Sequence, residues 1–346
     1  MLVVGTYTEK ISETFTGKGK GVYFLSWDSK TGNAEIKNHV PVINATYMVF
    51  SDKHACLYVV EELEEYRKPR FQVYKFNSKG NLKYNLIHEE VLNGSSACHI
   101  DISGNQDEIS IACYTTGNTE VFKIWPNGVT SHIQSIAHTG KGLNNIRQEA
   151  AHPHMVTYHS DKLFIVDLGI DKIKVYRKNS IAYEELRALE ISIKPGSGSR
   201  HMVITKDGVM VVVLSELTGE IFVFEKHING YKVVQELNIM ADDFKGIPSS
   251  AAIRMSSDEQ TIYVSERATS IISVIKYRNN SWQITQQIDS GGTTPRDINI
   301  DPSGKWLVAA NQDSHKLSCF KINRKSGELR WKHHIEIPSP ACLFWH

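Results

Sequence analysis

Seven times along the chain, at intervals of 47 to 52 residues, a strand-like run ends in a polar turn and a second strand-like run follows. The turns centre on Gly32, Gly80, Gly128, Ser180, Gly230, Asn280 and Gly327, with flanks such as SWDSKTGNAEI, VFEKHINGYKV and FKINRKSGELRW. A period near 50 built from short strands marks a blade array, because no single repeat can bury its apolar face alone. Seven such units occupy all 346 residues. Length alone would suggest about two domains; the unbroken repeat predicts one domain, residues 1–346.

A second hairpin divides each unit. Segments such as TYMVFSDKHACLYVVEE, RHMVITKDGVMVVVLSE and RDINIDPSGKWLVAANQ place a short Asp/Ser/Gly turn between two β-rich runs, which is hairpin chemistry. The unit therefore reads A, turn, B, loop, C, turn, D, a four-stranded antiparallel blade. Near-continuous apolar B strands such as MVVVL (210–214) suit sheets covered on both faces. Clean 3.6-residue periodicity is missing throughout, so almost no helix is expected. The first unit starts directly with a B-type strand, LVVGTYT, and the last segment, PACLFWH, resembles an A strand. The expected fold is an all-β, seven-bladed β-propeller whose C-terminal strand, 341–346, pairs with the N-terminal blade and removes the open edges.

Charge excludes some functions. With 39 basic and 38 acidic residues, the net charge is +1, and no basic stripe points to nucleic acid. No apolar run approaches the roughly 18 residues of a membrane span, and the opening MLVVGTYTEK lacks a signal-peptide pattern. Five cysteines, odd in number and without C-x-x-C spacing, read as buried thiols of a cytoplasmic protein rather than as a disulfide framework or zinc site.

In an A-up, B-down hairpin, the residue entering A and the residue leaving B lie side by side, and A is the innermost strand of a propeller. The A-strand entries carry His99, His154, Arg200, His201 and Arg296; the B-strand exits carry Glu61, Glu62, Tyr114, Asp167, Glu216, Glu266, Arg267 and Asn311. These positions hold His, Arg and carboxylates but no Lys. Both charge signs around a channel mouth suit acid/base and anion-binding chemistry. The long polar segment HTGKGLNNIRQEAAHPH (138–154), with Arg147 and Gln148, is the length of loop that carries function. The stretch KPGSGSRH (194–201) lacks the spacing of a nucleotide-binding loop, and its glycines read as a tight turn. His152, His154, His159 and Asp161 do not converge on one ion, so neither metal nor cofactor is expected.

The segments VGTYT (4–8), HTGKGLNNIRQEAAHPH (138–154), PGSGSRH (195–201), SELTGEIFVF (215–224), SERATSIISV (265–274) and TPRDINIDPSGKWLVAANQDS (294–314) resemble the bacterial 6-phosphogluconolactonase family of seven-bladed propellers, related to the muconate-lactonising enzymes. The resemblance implies a functional quartet of His154, Arg200, Glu216 and Arg267, all already among the strand-end positions. It implies hydrolysis of a small-molecule sugar lactone, 6-phosphogluconolactone foremost, by a monomer or weak homodimer that engages neither nucleic acid nor membrane. A muconate-type cycloisomerase and a non-catalytic binding propeller are the alternatives. For hydrolysis, Glu216 is expected as base and His154 as acid, with Arg200 and Arg267 binding the oxyanion or an anionic group. His99, Arg147, Gln148, His201 and Arg296 are expected to contact substrate. This chain has Glu266 and Ala268 around Arg267 where the family has Asn and Gly. As a counter-ion, Glu266 would neutralise that guanidinium.

Overall fold

A computed structural model describes residues 1–77 and 83–346; the turn expected at Gly80 lies outside them. Seven antiparallel sheets follow one another in the order the repeats predict, so the chain is a seven-bladed propeller. Strands A to D of the second blade are Ala45–Ser51, Cys56–Glu61, Arg70–Asn77 and Lys83–Val91. The third is Ala97–Ile102, Glu108–Cys113, Asn118–Ile124 and Thr130–Ala137. In the fourth, Pro153–His159, Lys162–Asp167 and Lys172–Lys178 are followed by a split outer strand, Tyr183–Glu185 and Ile191–Ser192, broken by a 3-10 turn. The fifth is Ser199–Ile204, Met210–Ser215, Glu220–His227 and Gly230–Asn238. The sixth is Ser250–Met255, Thr261–Glu266, Ile271–Arg278 and Ser281–Asp289; the seventh is Pro295–Ile300, Trp306–Asn311, Lys316–Ile322 and Leu329–Glu336. Among the described residues, helix is confined to the 3-10 turns Glu65–Arg67 and Arg187–Leu189, and no helix is long and apolar enough to cross a membrane.

The first blade is assembled from both ends of the chain. Strand Pro340–Trp345 pairs antiparallel with Leu2–Thr6, in the register Leu2↔Trp345, Val3↔Phe344, Val4↔Leu343 and Gly5↔Cys342. Val22–Trp27 and Ala34–Val40 complete the sheet. The closing strand starts one residue before the expected 341.

The chain forms two compact units. One comprises Met1–Pro41, His201–Glu225 and Val233–His346; the other comprises Val42–Arg200 and Lys226–Lys232. The same packing rule operates within each. Successive strand residues point to opposite faces, so each B strand feeds two cores. In the second unit, Ile109, Ile111 and Cys113 pack with Tyr58, Val60 and Phe71 of the second blade. Ala112, between them in sequence, packs with Val156, Leu163 and Ile165 of the fourth. In the first unit, Leu307 and Ala309 face Tyr263 and Val274 of the sixth blade, while Trp306, Val308 and Ala310 face Leu2, Val4 and Tyr23. This double coverage is why B strands read as unbroken apolar runs. Each fully buried Leu, Ile or Phe contributes ~1.5–3 kcal/mol. All five cysteines are buried in these layers, and burial pushes the Cys319 thiol up to about 12.

The recurring turn glycine has a packing cause. Gly128 and Gly327 have φ of +88° and +78°, a region that only glycine enters without strain. Their carbonyls accept the hydroxyls of Tyr58 (3.0 Å) and Tyr263 (2.8 Å), which sit in strand B of the preceding blade. A Cβ on Gly128 would strike Cys56 Sγ, and one on Gly327 would lie 2.8 Å from Thr261 Cγ2. In the third and seventh blades the C–D turn therefore docks bare backbone onto its neighbour, which gives the turn glycine of those repeats a physical cause.

Candidate active site

The A–B ladder slips at the same point in blade after blade. The register jumps from Ala45 to Tyr47, Ala97 to His99, Pro153 to Met155, Ser250 to Ile253 and Pro295 to Asp297. Such a bulge adds a residue to one strand and re-aims its side chain. His154 and Arg296 are skipped residues, each second in its A strand; Arg200 is likewise second in Ser199–Ile204. Three of the side chains expected to be functional thus share one backbone position.

Across the ladder from the bulge, at the exit of strand B, two adjacent residues are placed differently. The last residue of strand B is a buried clamp. Asp167 Oδ1 accepts the backbone N–H groups of His152 (2.8 Å) and Gly169 (2.9 Å), while Oδ2 meets His138 Nδ1 at 2.7 Å. Glu61 binds the Arg70 guanidinium at 2.9 Å and the Gln72 amide at 3.2 Å, and burial raises its carboxyl above the usual range. Asn311 donates to the Ser290 carbonyl and the Ser318 hydroxyl. None of the three is more than 0% exposed. The rim assembled from sequence counted these with the site; the structure assigns them to the fold. The next residue in the chain is Tyr114, Glu216 or Arg267 in the third, fifth and sixth blades.

Within the first unit, Arg267 Nη2 lies 3.1 Å from Glu216 Oε2, and Arg267 Nε donates to the Ser249 carbonyl at 2.9 Å. Glu216 is 3% exposed, and its own carbonyl accepts the Ser250 N–H at 3.2 Å. Glu266 does not act as the counter-ion of Arg267. Its oxygens accept the N–H groups of Ser249 and Ala268, each at 2.9 Å, and the hydroxyl of Ser250. His201 is buried, and the Arg296 guanidinium stands 5.0 Å over the ring of Tyr7.

Within the second unit, an aromatic cluster surrounds His154. The Tyr114 ring meets His154 edge-on at 5.6 Å and stacks on His152 at 4.4 Å. Arg147 Nη2 donates to the Tyr114 hydroxyl at 3.3 Å, so the polar loop delivers its guanidinium to this cluster. His99 stacks against Tyr47 at 3.9 Å, and Arg200 is 3% exposed. Gln148, expected to touch substrate, is fully buried: its oxygen accepts the Asn144 N–H (3.0 Å) and its NH2 donates to the Leu168 carbonyl (2.8 Å). Gln148 is the post around which the loop folds, so it is removed from the substrate contacts. The glycines of 194–201 form a turn, as expected: the N–H groups of Gly196 and Gly198 both bind the Asp171 carboxylate at 2.7 Å. The sequence marks Tyr114 only as a strand exit, and its alignment with Glu216 and Arg267 in the repeat is the signal that sets it beside them. Ser249, whose contribution is a carbonyl, left none. Among the described residues, no three His, Cys, Asp or Glu gather as a metal site.

The fold and these strand-end groups define a class of protein, a propeller that presents buried imidazole, guanidinium and carboxylate side chains at A-strand bulges and B-strand exits. Residues 1–345 match the family described as lactonase, 7-bladed beta-propeller, and the chain belongs to that family. It is 27% identical to a 6-phosphogluconolactonase of Bacillus subtilis, over 98% of this chain and 96% of that one. A 6-phosphogluconolactonase of Formosa agariphila is also 27% identical, over 95% and 94%. A periplasmic gluconolactonase of Pseudomonas aeruginosa superposes with a TM-score of 0.90 at 23% identity, covering 99% of this chain and 98% of that one. At that identity the likeness speaks for the fold.

Proposed function

We propose that the protein hydrolyses a sugar lactone, 6-phosphogluconolactone foremost, and so yields 6-phosphogluconate for the pentose phosphate pathway in the cytoplasm. Membership of the lactonase family and the names of two relatives support this reading. The observation that carries it is the pair formed by the buried Glu216 and the partly exposed Arg267, 3.1 Å apart. Glu216 takes a proton from water, and the resulting hydroxide adds to the lactone carbonyl carbon. Arg267 and Arg200 stabilise the oxyanion, as guanidinium donors do in a site shielded from water. The tetrahedral adduct then collapses, the bond to the ring oxygen breaks, and His154 returns a proton to the departing alkoxide. These roles for His154 and Arg200 rest on the family resemblance. Arg147, Arg296, His99 and His201 are assigned to substrate recognition, with neither metal nor cofactor taking part.

Substituting Arg200 or Arg267 by Ala tests the assignment. Each variant is expected to lose about 10²–10³ in kcat, the usual effect of removing an oxyanion donor, while its circular dichroism stays native. Wild-type turnover in either variant removes that arginine from the mechanism.

A further inference from the structure

Arg267 emerges from a tightly tied corner. Ser249 immediately precedes strand A of the sixth blade, and Ala268 lies two residues beyond the end of strand B. Both backbone N–H groups converge on one oxygen of Glu266, at 2.9 Å each, while its other oxygen takes the Ser250 hydroxyl. The Ser249 carbonyl in turn accepts the backbone N–H of Arg267 at 3.2 Å and its Nε–H at 2.9 Å. With Nη2 on Glu216, the guanidinium plane is set by two bonds, and the Ser249 anchor of one of them is itself held by Glu266.

We propose that Glu266 is a positioning residue for Arg267: it orients the guanidinium without sharing its charge. The proposal rests on the lactonase reading. Glu266 is 2% exposed, and its carboxylate is engaged by three donors of its own corner. The fourth blade repeats the device: Asp167 ties His152, immediately before strand A, to Gly169, two residues past strand B. There the enclosed residue is Leu168, which has no charge to orient. In the sixth blade the same clamp encloses an arginine. A misplacement of about 1 Å in a reacting or binding group lowers turnover by about 100-fold, so the clamp matters for rate as well as for fold.

The test combines hydrogen exchange at the Arg267 Nε–H, followed by NMR, with steady-state kinetics on Glu266→Ala and Glu266→Gln. The Ala variant is expected to raise Nε–H exchange at least about tenfold and to lower kcat by about 10- to 100-fold, with KM changed far less. The Gln variant, which keeps one acceptor oxygen, should recover part of both. Wild-type exchange and kcat in a folded Ala variant overturn the proposal. If the Ala variant does not fold, wild-type values in the Gln variant overturn it. Arg267→Ala separates the two readings: if it retains full turnover, the use of Arg267 in catalysis fails, while the exchange data still decide whether Glu266 holds it.

Discussion

Glu216 is buried and its partner Arg267 is partly buried, and such opposite-charge pairs are poor sources of stability because desolvation offsets their attraction. Their placement at B-strand exits makes chemistry the better account of them. Glu216→Gln keeps the shape and removes the charge. A general base contributes about 10²–10⁴ in rate, so kcat is expected to fall by that factor with the melting temperature close to wild type. The reverse pattern, intact turnover with lost stability, would make the pair a structural bridge. Asp101 offers a separate test of the electrostatics. Burial pushes its carboxyl up to about 6, against hydrogen bonds from the Tyr158 and Ile102 N–H groups and the Thr157 hydroxyl. An unfolded aspartate titrates near 3.9, so the native state binds this proton more tightly. Its stabilising contribution is present below about pH 4 and lost as pH rises through about 6, up to ~3 kcal/mol in all. Thermal melts between pH 4.5 and 7.5 should show a smaller fall for Asp101→Asn than for wild type; parallel curves would contradict the shift.

The A–B hairpin is the element that organises the site, through a bulge in strand A and a clamp that closes strand B beside it. The C–D turn is the element that docks one blade on the next. Gly327→Ala would place a Cβ against Thr261 at a φ of +78°. It is expected to destabilise by about 1–3 kcal/mol, read from denaturant unfolding; an unchanged midpoint would dismiss the docking role. Much of this was legible beforehand. The turn glycines announced the blades, and Gly128 and Gly327 show why: each needs a left-handed conformation at a contact. His154, Arg200 and Arg296 stood out because charged residues at A-strand entries are out of place in an apolar strand. What escaped was the difference between neighbours. A one-residue step along a strand end turns a side chain to the other face, so Glu266 and Arg267 looked like one charged pair when they perform separate tasks. Gln148 resembled a ligand contact because nothing in its loop sequence reveals that both ends of its amide are satisfied internally.

At the scale of the whole molecule, the seven sheets share one construction, and the first is completed by the last strand. Removing residues 340–346 would leave one edge of Leu2–Thr6 unpaired and strip Leu343 from the core it forms with Leu2, Val4 and Trp306. Loss of that one side chain alone amounts to ~2–5 kcal/mol. The truncated chain is expected to melt far below the full chain or to aggregate through its exposed edge; an unchanged melting temperature would show that the closing strand is dispensable. The central claim is that this family member is a lactonase working through Glu216 and Arg267. The most direct measurement is the hydrolysis rate of freshly generated 6-phosphogluconolactone, corrected for its spontaneous opening, beside gluconolactone, with and without EDTA, for wild type and Glu216→Gln. The account predicts strong acceleration of the phosphorylated lactone, indifferent to EDTA and lost in the variant. Wild-type protein that accelerates neither lactone, or a Gln variant that matches it, would contradict the account.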